Sequence, residues 1–146
     1  IGKITNWDLV IIGDGCIRQK LEQTVRDKQI QRVSFTGQVN HPEEYYKSAK
    51  IILLTSSFEG FPMCLIEALR FGVIPLTFDI SAGVRSIVSN SGGIIIKNRN
   101  SNEMFLKLQE LINNKYLHSL SEKARLKSNR YTLNRIGEQW INLLRK

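Results

Sequence analysis

The run Ile51-Ile52-Leu53-Leu54, the turn Thr55-Ser56-Ser57-Phe58-Glu59-Gly60-Phe61-Pro62 and the segment Met63-Cys64-Leu65-Ile66-Glu67-Ala68-Leu69 together decide the fold. The first four residues are wholly apolar, the pattern of a strand covered on both faces. The last seven are apolar at helical spacing. Proline suits the first turn of a helix, where its missing N–H costs nothing, so the helix begins near Pro62 or Met63. A strand that passes through one turn into a helix is the repeating unit of layered α/β folds with parallel sheets.

The turn between them carries the chemistry. Ser56, Ser57 and Glu59 lie just past a strand end, where open α/β sheets keep their ligand crevice. Gly60 permits a tight turn or a close approach by a ligand. The free N–H groups and positive end of the helix face that crevice and suit a diphosphate. Glu67, eight residues after Glu59, lies more than one turn into the helix. Its oxygens suit a pair of vicinal hydroxyls such as a ribose diol. Two glutamates at this spacing also describe an ordinary solvated helix face, and spacing alone does not separate the two readings.

Upstream, Asp8 to Ile12 reads as a strand whose Leu9-Val10-Ile11-Ile12 is apolar throughout, as in a sheet covered on both faces. Gly13-Asp14-Gly15 is a turn, in which Gly-x-Gly serves phosphate binding or simple tight passage equally well. Ile17, Leu21 and Val25 mark an amphipathic helix from about Cys16 to Lys28. Val33 to Thr36 is a short strand, with Gly37-Gln38-Val39 at its C-terminal end. His41-Pro42 is turn chemistry, His41 reads as a loop histidine, and a short helix follows to about Ser48.

Downstream, Arg70-Phe71-Gly72 ends the central helix with Gly72 as its cap. Val73 to Phe78 is the next buried strand. Asp79-Ile80-Ser81-Ala82-Gly83 forms a loop to which no function is assigned, and Val84 to Ser89 is a short helix. Gly92-Gly93-Ile94-Ile95-Ile96 gives a last strand at an edge. Ser101 or Asn102 caps a helix through Asn113. Two more helices span about Lys115 to Asn129 and Leu133 to Leu144, the last with Ile136, Trp140, Leu143 and Leu144 turned inward. Five strands alternating with helices predict a three-layer, Rossmann-like α/β domain with a parallel sheet.

Ser56-Ser57-Phe58-Glu59-Gly60-Phe61-Pro62 followed by Glu67-Ala68-Leu69, Gly72 and Pro75 resembles the sequence pattern of family 4 glycosyltransferases of the GT-B fold. That family carries a glutamate, seven residues, then a second glutamate. Val10-Ile11-Ile12-Gly13-Asp14-Gly15 with Leu21-Glu22 resembles its second strand and following helix. Val33-Ser34-Phe35-Thr36-Gly37-Gln38-Val39 resembles its third strand, and Tyr45-Tyr46-Lys47-Ser48-Ala49 the short helix before the glutamates. The similarity runs from about Trp7 to the C-terminus and covers only the donor-binding half of the family's two domains.

The resemblance implies a retaining hexosyltransferase without a required metal, acting on a nucleotide diphosphate sugar, a UDP-sugar by analogy with polysaccharide-type relatives. It implies that Glu59 contacts the donor sugar and is the catalytic residue, and that Glu67 holds the ribose. Backbone N–H groups of Gly60, Phe61, Leu65 and Ile66 would hold sugar and diphosphate. Pro62, Ser56, Gly15 and Val39 complete the expected donor site, Val39 beside the base. The acceptor, a glycan or lipid-linked chain of a surface polysaccharide, would belong to the N-terminal GT-B domain. The family's first strand and its diphosphate-gripping basic pair are not evident, with Lys3 as one candidate member. The region around Ile1 to Asn6 is therefore expected to look strained or truncated.

Composition bounds the rest. The chain has 146 residues, 42% of them hydrophobic, enough for one domain with its own core. Neither a membrane span nor a signal peptide is legible. Cys16 and Cys64 are too few for a disulfide scaffold and read as reduced cytosolic thiols. The net charge is +8, and from Lys97 onward eleven Lys and Arg face four Asp and Glu. That excess could attract an anionic membrane surface, giving peripheral contact at its cytoplasmic face. Solvated helix faces explain it as well. No nucleic-acid motif accompanies it, so nucleic acid is not an expected partner. Three alternatives stay open: a nucleotide-binding module without activity of its own, another GT-B enzyme such as a sugar epimerase, and a flavodoxin-like signalling domain. The last lacks the clustered acids it needs, which Asp14 and Asp79 do not supply.

Overall fold

The computed structural model describes residues 6–145. The expectations placed on Lys3 and on the stretch from Ile1 to Thr5 fall outside them. The chain divides into two compact units, one ending at Glu44 and one beginning at Tyr45.

The first unit is a strand–helix–strand: β1 (Leu9–Ile12), α1 (Arg18–Asp27) and β2 (Val33–Gly37). β1 and β2 are parallel, with Leu9 opposite Val33 and Ile11 opposite Phe35, and the register slips one residue between Ile11 and Ile12. Burial corrects the expectation of a strand covered on both faces. Leu9 and Ile11 are half-buried, whereas Val10 and Ile12 are exposed. The α1 stripe is likewise uncovered: Ile17 and Leu21 are exposed, and no residue of that helix is buried. One helix and one neighbouring strand cannot cover two apolar faces.

The second unit holds the core. The short helix α2 (Glu43–Ser48) leads into β3 (Ile51–Leu54), α3 (Met63–Arg70), β4 (Ile74–Phe78), α4 (Ala82–Val88) and β5 (Ile94–Ile96). The helices α5 (Ser101–Ile112), α6 (Leu117–Ser128) and α7 (Leu133–Leu144) follow. The three strands are parallel in the order β3-β4-β5, so β5 lies at an edge of this sheet, as expected. Among the described residues, then, the five strands form a pair and a triplet. All five residues of the central strand β4 are buried.

Pro75 sits in that strand, where a proline normally removes a ladder bond. It pairs with Ile52 of β3, but β5 pairs with β4 only from Leu76 onward. Gly93, just before β5, lies against the Pro75 ring, where a Cβ would come 2.9 Å from Cδ. The proline thus occupies the strand before its second ladder begins.

Leu54, Leu65, Ile66, Leu69, Val84, Ile87, Val88 and Ala124 make one core, joining β3, α3, α4 and α6. The opposite side of α3 buries Ala68 with Tyr46 and Val73. The turn after α3 explains how the chain re-enters the sheet. Gly72 takes the left-handed backbone at φ 76°, its N–H donating to Leu69 O at 2.9 Å, and Val73 N–H donates to Ala68 O at 3.1 Å. This is a Schellman end, in which Gly72 stands one residue past the cap proper.

Two local expectations are corrected. Asn100, not Ser101 or Asn102, caps α5, because its Oδ1 accepts from the N–H groups of both Asn102 and Glu103. And α7 is not packed inward. Trp140 is 59% exposed, Leu143 and Leu144 are exposed further, and no residue of the helix is buried.

Candidate functional site

Helix α3 opens at Pro62, as the sequence predicts. Pro62 is extended, at φ −71° and ψ 106°, and gives no side-chain cap to the helix. Leu65 N–H donates to Pro62 O at 3.2 Å. No acidic residue lies within the first turn itself. Leu65 and Ile66 bury their side chains in the core, leaving only backbone for a ligand.

The two glutamates converge electrostatically on one group. Burial pushes the Cys64 thiol up from its ordinary pKa, and the charges of both Glu59 and Glu67 push it further. The N–H groups of Leu65 and Cys64 pull the other way and are outweighed. Both carboxylates are half-buried. Glu67 accepts a hydrogen bond from the Tyr46 hydroxyl at 3.5 Å. No hydrogen bond or ion pair joins Glu59 to another described residue, which leaves its oxygens available.

The turn is held from one side. Ser81, the cap of α4, donates its hydroxyl to Gly60 O at 3.1 Å and accepts from Val84 N–H at 3.1 Å. Gly83, in the first turn of α4, lies so close that a Cβ there would overlap the Gly60 carbonyl oxygen. Phe61 packs edge-on against Tyr131, with ring centres 6.0 Å apart. Gly60 itself is not in the left-handed region, and a Cβ on it would meet nothing within 4 Å. Neither the backbone conformation nor a neighbouring atom of the described residues requires a glycine at this position. Ser56 is half-buried, while Ser57 and Phe58 are exposed.

The family model for glycosyl transferases group 1 matches residues 2–129. This chain is a member of that family. It is 34% identical to an uncharacterized glycosyltransferase of Haemophilus influenzae over 97% of its own length and 41% of that protein's. It is 31% identical to the poly(ribitol-phosphate) α-N-acetylglucosaminyltransferase of Staphylococcus aureus, covering 91% of this chain and 28% of that one. It superimposes on the crystal structure of S. aureus TarM bound to fondaparinux, α-GlcNAc-glycerol and UDP, with a TM-score of 0.82 at 31% identity over 95% of this chain and 29% of that one. The chain thus spans less than half the length of these relatives. The fold is the α/β GT-B fold of group 1 glycosyltransferases, with the chain corresponding to one part of it.

In this family member Glu59, Gly60, Phe61 and Pro62 lie in the turn before α3, and Leu65, Ile66 and Glu67 within that helix. Gly15 and Val39 lie in the first unit, Gly15 exposed before α1 and Val39 half-buried after β2. There Arg18 is paired with Glu22 at 2.8 Å and Asp14 at 3.1 Å, and its guanidinium fills the space beside Gly37. His41 faces Glu43 at 3.0 Å in a loop. A separate cleft of about 410 Å³ is lined by Arg70, Ser128, Asn129, Tyr131, Thr132 and Leu133, none of them an expected site residue. Among the described residues no three His, Cys, Asp or Glu side chains gather as metal ligands. No helix among them is long and apolar enough to cross a membrane.

Sequence reasoning missed Ser81, Gly83, Cys64 and Tyr46. Ser81 and Gly83 act over a sequence distance that periodicity does not register. Cys64 read as a reduced thiol and Tyr46 as part of the short helix before the glutamates, and only the hydrogen bond from Tyr46 to Glu67 and the two carboxylate charges acting on Cys64 set them apart.

Proposed function

We propose that this chain is the donor-binding half of a retaining glycosyltransferase. It would move a sugar from a nucleotide diphosphate sugar, a UDP-sugar on this reading, to a glycan or lipid-linked acceptor in surface polysaccharide synthesis. The observation that carries the reading is the opening of α3 at Pro62 without a side-chain cap, flanked by Glu67, which accepts from Tyr46, and by Glu59, which has no hydrogen-bond or ion-pair partner among the described residues. The UDP held by TarM supports the choice of nucleotide.

In this mechanism Glu67 accepts from the ribose hydroxyls and Glu59 from hydroxyls of the donor sugar. The open space at Gly60 lets the sugar approach the backbone, and the N–H groups of Gly60, Phe61, Leu65 and Ile66 would serve sugar and diphosphate, that of Leu65 while also donating to Pro62 O. As the glycosidic bond breaks, negative charge grows on the departing diphosphate. Donors and a helix end already aimed there stabilise it without reorganising. An oxygen of that phosphate takes the acceptor's proton, so no side-chain base and no metal is required. The acceptor site belongs to the N-terminal domain of the two-domain enzyme. The reading puts the reaction in the cytoplasm at the inner membrane face, with the basic C-terminal helices as a peripheral contact and no nucleic acid involved. The chain alone would bind donor without turning it over.

The test is substitution of Glu59 by glutamine in a two-domain enzyme carrying this chain. Transfer should fall at least ~100-fold, with the melting temperature unchanged. Near-normal turnover would remove Glu59 from the site.

A further inference from the structure

Tyr46 is the single buried residue of α2. Its ring packs against Phe71 with centres 6.0 Å apart, in the cluster with Ala68 and Val73. A ring so placed has little freedom. Its hydroxyl reaches across to Glu67, donating to Oε2 at 3.5 Å. Glu67, by contrast, is half-buried on a flexible side chain, whose immobilisation costs rotamer freedom. Something must hold Glu67 in place if it is to meet a ligand in one geometry.

We propose that Tyr46 is the positioning residue for Glu67, fixing its carboxylate so that the remaining lone pairs face a vicinal diol. The inference rests on the reading of Glu67 as the ribose contact. A carboxylate has about four lone-pair sites. One accepts from Tyr46, and two suffice for the diol. Burial, followed by the neighbouring Glu67 charge, drives the Tyr46 phenol far above its ordinary pKa, so it stays a donor across the working pH range. At 3.5 Å the bond is long, as such contacts commonly are before a ligand arrives, and it shortens when the diol draws the carboxylate into register.

The experiment is titration calorimetry of the chain with UDP and with 2′,3′-dideoxy-UDP, for the wild type, Tyr46→Phe and Glu67→Gln. Wild type should prefer UDP by about tenfold or more, and Glu67→Gln should erase that preference. Tyr46→Phe keeps the ring and loses only the hydrogen bond. It should weaken UDP by about 3–10-fold while leaving the dideoxy nucleotide unchanged. Incorporation of 3-fluorotyrosine at position 46, a stronger donor of nearly the same size, should move the preference the other way. This readout stands even if Tyr46→Phe folds poorly. Absence of UDP binding, or of any preference in the wild type, overturns the reading of Glu67 and the inference with it. A preference erased by Glu67→Gln but retained in Tyr46→Phe overturns the positioning role alone. Equal weakening of both nucleotides in Tyr46→Phe also overturns it, because that is the mark of lost packing.

Discussion

Alanine at Gly83 and alanine at Gly60 should act in opposite directions on stability, although the two residues touch. At Gly83 the new Cβ would overlap the Gly60 carbonyl oxygen and stand 3.0 Å from Phe61 Cδ2 and 3.1 Å from the Gly60 carbonyl carbon. Two of those three atoms are backbone and cannot swing aside. Overpacking of this kind costs about 1–3 kcal/mol. Replacing a glycine inside a helix returns about 0.5–1 kcal/mol. The clash wins, by roughly 0.5–2 kcal/mol, or a fall of roughly 2–8 °C in melting temperature. At Gly60 the Cβ meets nothing within 4 Å and the backbone is not left-handed. There the stiffer unfolded chain is the main term, and it stabilises by about 0.4–1 kcal/mol. Ligand binding should not follow stability. Both variants should lose UDP-sugar affinity, Gly83→Ala by displacing the turn and Gly60→Ala by filling the space the sugar enters. The assays are thermal melts followed by calorimetry. A Gly83→Ala protein that melts with the wild type would refute the close packing. A Gly60→Ala protein that binds UDP-sugar normally would refute the reasoning about open space.

Stability should fall as pH rises above about 9, because the raised thiol of Cys64 and phenol of Tyr46 hold their protons in the fold after the unfolded chain, with ordinary values of 9.0 and 10.0, has begun to release them. Lys127 opposes this: burial, then Arg130, lowers its pKa, so its contribution grows with pH. Urea titrations from pH 8 to 11 should show a shallower alkaline limb in a Cys64→Ala, Tyr46→Phe double variant, and an unchanged limb would contradict the assignment. Thr77→Val should stabilise by about 1 kcal/mol, because the Thr77 hydroxyl is buried in β4 without a partner among the described residues; loss of stability on urea unfolding would show that the hydroxyl is satisfied. Trp140→Ser should change the stability of the chain by no more than about 0.5 kcal/mol, since α7 buries none of its residues. A larger loss in the same assay would place Trp140 in a core.

The path from β3 through the turn into α3 was legible because several local signals agree there. Four apolar residues, a proline at the helix start and a glycine at its end each have one favoured place. Signals with more than one solution were less legible. Asn100, Ser101 and Asn102 are all good caps, and only the reach of the Asn100 oxygen to two N–H groups decides among them. In α7 the apolar stripe is plain in the sequence. Periodicity tells which residues share a face but not what covers it, and here they are exposed. Val10 and Ile12 show the same limit in β1. At the candidate site the sequence alone places the two glutamates and Gly60 beside the start of α3. The contacts that shape them were not legible, since Ser81, Gly83 and Tyr46 reach the site from other turns of the chain.

The account stands on one bound ligand touching both glutamates, and a crystal structure of the chain with a UDP-sugar measures that directly. The diphosphate should lie at the opening of α3, with Glu67 within about 2.6–3.2 Å of the ribose hydroxyls and Glu59 as close to a hydroxyl of the sugar. A nucleotide bound elsewhere, or bound at α3 with Glu59 and Glu67 turned away from it, would contradict the account.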